Sequence, residues 1–266
     1  MLIERVWAAN QGRNFHYLIA CAETGEAMAV DPLDAERCLL RARELGWTIR
    51  QIFNTHEHAD HTGGNAAMVA ATGAPVLAHA AAAARIGNVS KGLNDGDRVR
   101  IGRSVELRCL DTPGHTRAHL CLYGAPDAND APALFSGDTL FNAGVGNCIH
   151  GGDPQLLYQS FTACLMQLPD ATRVLPGHEY LLRNLAFTLD REPSNAAARA
   201  MAQRCQDLAA QDTPITTLGE ERQFNAFFRL DNAEIIEGLR RTDAFEDAGH
   251  GPREVFLALR DLRNRW

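Results

Sequence analysis

Four side chains carrying nitrogen or oxygen donors, His56, His58, Asp60 and His61, fall within six residues in the run Thr55-His56-Glu57-His58-Ala59-Asp60-His61. Imidazole together with carboxylate matches what a borderline-soft divalent cation takes as ligands. Residues two apart share a face in extended backbone and diverge in a helix, so His56 and His58 converge only if the segment is extended or looped. Four positions after His56 stands Asp60 and not a second His, which separates the run from the helical zinc-protease motif. A single histidine here would be an ordinary turn residue. Four donors followed by Thr62-Gly63-Gly64 point to a cation site, with the glycines serving a tight turn or close packing before the next helix.

Three further donors lie far along the chain, each after an apolar run and beside a glycine: His115 in Thr112-Pro113-Gly114-His115, Asp138 in Phe135-Ser136-Gly137-Asp138, and His178 in Leu175-Pro176-Gly177-His178. Taken singly each is a loop residue. Recurrence of one pattern predicts several strand ends delivering ligands to one edge of a sheet. Such a site makes hydroxide available at neutral pH, because zinc lowers the pKa of bound water from 15.7 to about 7. No serine or cysteine nucleophile is then needed.

The elements that must position these groups are visible as hydrophobic periodicity. Strands are predicted over 15–21, 27–30, 49–54, 75–78, 98–101, 104–110, 119–123 and 133–135, with helices over 35–45 and 64–71 between the early ones. Gly46 is a natural stop for the first helix. From about Leu181 Ala-rich and charged helical patterns take over. Asn195 or Ser194 can cap a helix running to 211, and shorter ones are predicted over 233–241 and 253–263. The expected architecture is a layered α/β domain over 1–180 with a helical domain over 181–266.

These motifs resemble the metallo-β-lactamase superfamily, whose signature is His-x-His-x-Asp-His followed by a distant His, Asp and His. Thr55 to Asn65, Phe135 to Phe141, Gly177 to Tyr180 and Glu192 to Asn195 are closer still to the glyoxalase II family, the hydroxyacylglutathione hydrolases. The resemblance implies an αββα sandwich carrying two divalent metal ions, zinc first, with iron or manganese as alternatives. It places His56, His58 and His115 on one metal and Asp60, His61 and His178 on the other, with Asp138 bridging. It further implies cleavage of S-(2-hydroxyacyl)glutathione, S-D-lactoylglutathione above all, by attack of a metal-bound hydroxide that Asp60 orients. The expected products are glutathione and a 2-hydroxy acid. Tyr180, Arg260 and Arg263 match positions that hold the substrate's thiol part. Asn147 and Ile149 stand where many members have Lys and Tyr, so a cation and a hydroxyl that would help grip glutathione are absent from this loop, and Asn147 is its candidate substrate-binding residue. A persulfide dioxygenase of the same superfamily, or a hydrolase of another thioester or ester, is the alternative.

Composition narrows the partners. With 33 acidic against 26 basic side chains the formal charge is -7, which disfavours nucleic acid. The sequence has no apolar run of membrane-spanning length and no export-like amino terminus, so the expectation is a soluble cytoplasmic monomer or weak homo-oligomer acting on a small-molecule glutathione thioester. Seven cysteines without a Cys-x-x-Cys pair describe reduced thiols, most of them in apolar runs. Cys148 is expected to be buried, His79 and His119 to be structural, Glu57 to face solvent or a neighbour of the site. His16, His150 and His250 receive no role.

Overall fold

The computed structural model describes residues 1–125, 130–243, 245 and 251–266; His250 lies outside them. A first sheet runs in sequence order through β1 (Leu2–Trp7), β2 (Phe15–Ala20), β3 (Glu26–Val30), β4 (Thr48–Asn54), β5 (Val76–His79) and β6 (Val89–Leu93). The second begins with β7 (Arg98–Ile101), β8 (Val105–Asp111), β9 (Leu120–Gly124) and β10 (Ala133–Gly137). A short hairpin follows, β11 (Leu140–Phe141) with β12 (Gly144–Val145), and then β13 (Arg173–Pro176) and β14 (Thr216–Thr217) complete the second sheet in the order β14-β13-β10-β9-β8-β7.

Alternation along the strands builds the layers. In β2, Phe15, Tyr17 and Ile19 enter the core between the sheets, where Phe53, Leu107, Leu122 and Phe135 also lie, while Leu18 and Ala20 face the other way. Both faces are covered, so all six residues of β2 are buried. The outer face of the first sheet packs on α1 (Ala35–Glu44) and, beyond the one-turn α2 (Ala59–Thr62), on α3 (Asn65–Thr72). Ala35, Cys38 and Ala42 form the apolar stripe of α1, Asp34 caps it by accepting from Arg37 N at 3.0 Å, and Gly46 at φ 71° ends it. After the short α4 (Ala83–Ile86), α5 (Pro154–Ala163) covers the second sheet through Leu157 and Phe161. This is the αββα sandwich. Each fully buried Phe or Leu contributes about 1.5–3 kcal/mol.

The tail is helical: α6 (Leu181–Arg191), α7 (Ala196–Cys205), α8 (Leu218–Phe224), α9 (Ala233–Leu239) and α10 (Pro252–Arg265). Asn195 is the cap of α7, accepting from Ala198 N at 2.8 Å, but the helix stops at Cys205, short of the expected 211. β14 was not anticipated in this region. Its two residues pair antiparallel with β13, joining the tail to the second sheet. β1 and β6 were also missed; both alternate buried with exposed positions weakly and lie at the two edges of the first sheet. No helix among the described residues is long and apolar enough to cross a membrane.

Candidate metal centre

Strand direction explains why distant residues meet. β8 and β9 are antiparallel, β9 and β10 are antiparallel, and β10 and β13 are parallel, so β8, β10 and β13 all end at the same edge. His115, Asp138 and His178 follow those three ends. β9 runs the opposite way, so His119, just before its start, arrives there too. From the facing sheet, β4 ends beside them: Leu120 N donates to Thr55 O at 2.9 Å, which links the sheets where the motif begins. His56 and His58 lie in non-helical backbone, as their spacing required. Asp60 and His61 occupy α2, a single helical turn.

Among the described residues three groups of donor atoms result, each within 4.8 Å of one another: His56, His58 and His115; His56, His61 and Asp138; Asp60, His61 and His178. His58 Nδ1 lies 3.1 Å from His56 Nε2 and 3.0 Å from His115 Nε2, and His61 Nε2 lies 3.2 Å from His178 Nε2. Asp138 spans the two halves. Its Oδ2 is 3.5 Å from His115 Nε2 and 3.2 Å from His178 Nε2, and its Oδ1 is 3.4 Å from His61 Nε2.

The outer nitrogen of each ring fixes which way its lone pair faces. His115 Nδ1 donates to Asn147 O and His178 Nδ1 to Gly12 O, both at 2.6 Å, leaving each Nε2 as an inward acceptor. His61 Nδ1 meets Asp31 Oδ2 at 2.9 Å. Thr55 Oγ1 donates to that same oxygen at 2.7 Å and accepts from His56 Nδ1 at 2.9 Å. Thr55 N completes the set, donating to Asp31 Oδ1 at 2.8 Å. On the exposed side, His58 Nε2 faces His150 O at 3.3 Å. Asp60, 45% exposed, is tethered by Asn14 Nδ2 at 3.2 Å from its Oδ2.

Inward lone pairs about 3 Å apart repel unless a cation lies among them. Zinc with Zn–N near 2.0–2.1 Å in tetrahedral geometry spaces its nitrogens by roughly 3.3 Å, close to the separations here. Asp138 Oδ1 adds an independent sign, since it is a buried carboxylate oxygen with no hydrogen-bond partner. The donor set fits a pair of divalent cations. Burial drives the pKa of His56 well below its ordinary value and that of His115 down to about 4, so both rings are neutral at pH 7. Burial also opposes charge on His61, but Asp138 and Asp31 outweigh it and hold that ring well above the usual histidine range. For Asp138 burial is outweighed by His178 and His61, which hold the carboxyl well below the usual range.

Two glycines permit the close approach. Gly137 has φ 47°, and a Cβ there would lie 2.7 Å from both His119 Nε2 and Thr55 Oγ1. A Cβ on Gly177 would lie 2.5 Å from Asp138 Oδ1 and 2.7 Å from His61 Cε1.

Tyr180, Asn147, Arg260 and Arg263 come together around one cavity of about 210 Å³, with Arg183 and Asn184. It adjoins the donor cluster through Tyr180, whose ring stacks on His178 at 5.0 Å. Arg260 is 4% exposed; its Nη1 donates to Val145 O at 2.9 Å and Gly146 O at 3.1 Å, and its Nη2 to Asn264 Oδ1 at 2.8 Å. Arg263 Nη2 donates to Asn184 Oδ1 at 3.2 Å. The Asn147 side chain turns into its own loop, accepting from Ile149 N at 3.2 Å.

Sequence reasoning missed Asp31, Asn14 and Arg183. Asp31 carried the same signal as Asp138, an acidic residue directly after an apolar strand; Asn14 and Arg183 carried none. His119, expected to be structural, accepts from Asp138 N at 3.2 Å and stacks on His56 at 5.2 Å. Glu57 points away, paired with Arg85 at 2.9 Å. Cys148 is half-buried, its thiol pushed up to about 11 by burial, and all seven cysteines are free.

Comparison with known proteins agrees with this geometry. The family described as Metallo-beta-lactamase superfamily matches residues 17–178, and that described as Hydroxyacylglutathione hydrolase C-terminus matches residues 179–266. A hydroxyacylglutathione hydrolase of Nitrosococcus oceani is 54% identical and one of Polaromonas sp. 53% identical, each alignment covering 100% of both chains. Among solved structures, ETHE1 from Myxococcus xanthus superposes with TM-score 0.69 at 25% identity, covering 99% of this chain and 92% of that one. Full-length identity above half, both family matches and the αββα frame around a histidine and aspartate cluster lead to one conclusion: the chain belongs to the hydroxyacylglutathione hydrolase family of the metallo-β-lactamase superfamily.

Proposed function

We propose that this protein hydrolyses S-(2-hydroxyacyl)glutathione, with S-D-lactoylglutathione as the reference substrate, to glutathione and a 2-hydroxy acid. The observation that carries the reading is a cavity lined by three arginines and, among the described residues, no acidic side chain, beside a cluster of potential cation ligands. One half of such a site suits the carboxylates of a glutathione moiety, the other the scissile carbonyl.

His56, His58 and His115 would hold one ion and Asp60, His61 and His178 the other, with Asp138 available to both, an assignment that the grouping of donor atoms supports. Zinc is the first choice, and iron or manganese suits the same donors. When bound, the two cations supply a water of lowered pKa and a Lewis acid for the carbonyl oxygen. Around them the protein does the positioning. Asp60, held by Asn14 and partly open to solvent, would accept a hydrogen bond from a water beside the ions and orient it. His119 and Thr55 fix Asp138 and His56 from behind. Tyr180, Arg260, Arg263 and Asn147 wall the cavity for the thiol half, putting the acyl carbon toward His178 and Asp138. The departing thiolate, with a free-thiol pKa near 8.5, needs no protein acid.

On this reading residues 1–180 form the catalytic unit and lend Asn147 and Tyr180 to the substrate wall, 181–266 supply its arginines, and a reducing cytoplasm suits the free thiols. The test is hydrolysis of S-D-lactoylglutathione by the metal-loaded protein, run beside oxygen uptake on glutathione persulfide. Loss of the thioester absorbance without oxygen uptake supports the reading; oxygen uptake without hydrolysis replaces it with a persulfide dioxygenase.

A further inference from the structure

The three arginines around the cavity are not equivalent. Arg260 is buried and its terminal nitrogens already donate to Val145 O, Gly146 O and Asn264 Oδ1, so its guanidinium is a strut that shapes the β12 loop. Arg263 is half-engaged, bonded to Asn184 Oδ1 and lying 5.7 Å over the Phe187 ring and 5.3 Å over the Trp266 ring. Arg183 differs. It stands on α6 one turn after Tyr180, is exposed, lines the same cavity, and has no hydrogen bond or ion pair to any described residue. It shares the lining of this cavity with Tyr180 and Arg263. Among the described residues no carboxylate lines the cavity to neutralise it.

We infer that Arg183 is the specificity-determining cation of this pocket: it pairs with a carboxylate on the thiol half of the substrate, while Arg260 builds the wall behind. The inference rests on the thioester reading above. The exposed guanidinium of Arg183 has all its donors available for a bidentate pair, whereas Arg260 is 4% exposed and three of its five N–H groups already hold Val145 O, Gly146 O and Asn264 Oδ1.

The experiment compares wild type, R183Q and R183K on two substrates, S-D-lactoylglutathione and a lactoyl thioester of N-acetylcysteamine, whose thiol half has no carboxylate. Binding of S-methylglutathione is measured by calorimetry in parallel. R183Q is expected to raise KM for the glutathione thioester about tenfold with kcat unchanged, to weaken S-methylglutathione by the same factor, and to leave the N-acetylcysteamine thioester unaffected. R183K should recover most of the loss. Equal KM changes on both thioesters, or no change on either, overturn the inference. If wild type hydrolyses neither thioester yet binds S-methylglutathione in an Arg183-dependent way, the reaction reading falls and the pocket assignment stands; absence of that binding removes both.

Discussion

Asp31→Asn changes one atom and no volume, yet it tests how the site is held. Asp31 Oδ2 accepts from Thr55 Oγ1 at 2.7 Å and sits 2.9 Å from His61 Nδ1, while Oδ1 accepts from Thr55 N at 2.8 Å. An amide cannot serve all three donors. With its NH2 at the Oδ1 position it faces the Thr55 N–H, leaving one buried donor unpaired at a cost of about 1–3 kcal/mol. With its NH2 at the Oδ2 position it makes His61 Nδ1 an acceptor, which moves the ring proton to Nε2, the atom aimed at the cation. The first orientation weakens the fold and the second weakens metal binding. Loss of such an outer partner lowers metal affinity about 10–100-fold. The assay is zinc titration against a competing chelator, with thermal unfolding of the metal-free protein run alongside to separate the fold cost, which should appear as a fall in Tm of roughly 2–10 °C. If Asp31→Asn keeps both zinc affinity and metal-free Tm at wild-type values, the account of Asp31 as the orienting partner of His61 is wrong.

Asp138→Ala should remove most bound metal and activity together, and retention of two equivalents by elemental analysis would count against the shared position of this carboxylate. Gly137→Ala forces a side chain into a φ of 47° against His119 and Thr55, so urea unfolding should show a loss of at least about 2 kcal/mol; a loss below half of that would mean the backbone relaxes easily. Phe161, packed on Phe228 at 4.5 Å and Phe256 at 5.6 Å, joins the second sheet to the tail, and Phe161→Ala should cost about 3–5 kcal/mol in the same measurement. Glu221 is a buried carboxyl pushed up to about 7 by burial, even though Thr216 Oγ1, Ala143 N and Asn225 Nδ2 all donate to it. Because the folded chain holds this proton more tightly than the unfolded one, its contribution to stability falls as pH rises from about 4.5 to about 7 and then levels. Glu221→Gln should remove that fall, gaining up to about 3 kcal/mol on wild type between those two pH values; parallel pH profiles for the two proteins would refute the assignment.

Much of the site was legible because cation ligands combine scarce residue types with tight local spacing, as in His56 to His61, and because Gly-Asp and Gly-His pairs follow apolar strands at Asp138 and His178. The inter-sheet strands were legible for the same reason, since Phe15, Tyr17 and Ile19 repeat every second residue. What stayed hidden depends on tertiary contact. Asn14 becomes relevant only because β2 starts beside the end of β13, a meeting of residues far apart in the chain that no local pattern encodes. Arg260 and Arg263 share a helix turn and look alike in sequence; burial against Val145 and Gly146 gives one a structural task. α2 was hidden because one turn of helix is too short to have a period.

β14 gives the tail a task unrelated to the substrate. Thr216 and Thr217 cover the outer side of β13, which otherwise offers a row of bare peptide groups at the border of the second sheet. A protein shortened to end near residue 180 would leave that border open to extended segments of other molecules and would be prone to self-associate, so the two parts of the chain are not freely separable at the bench.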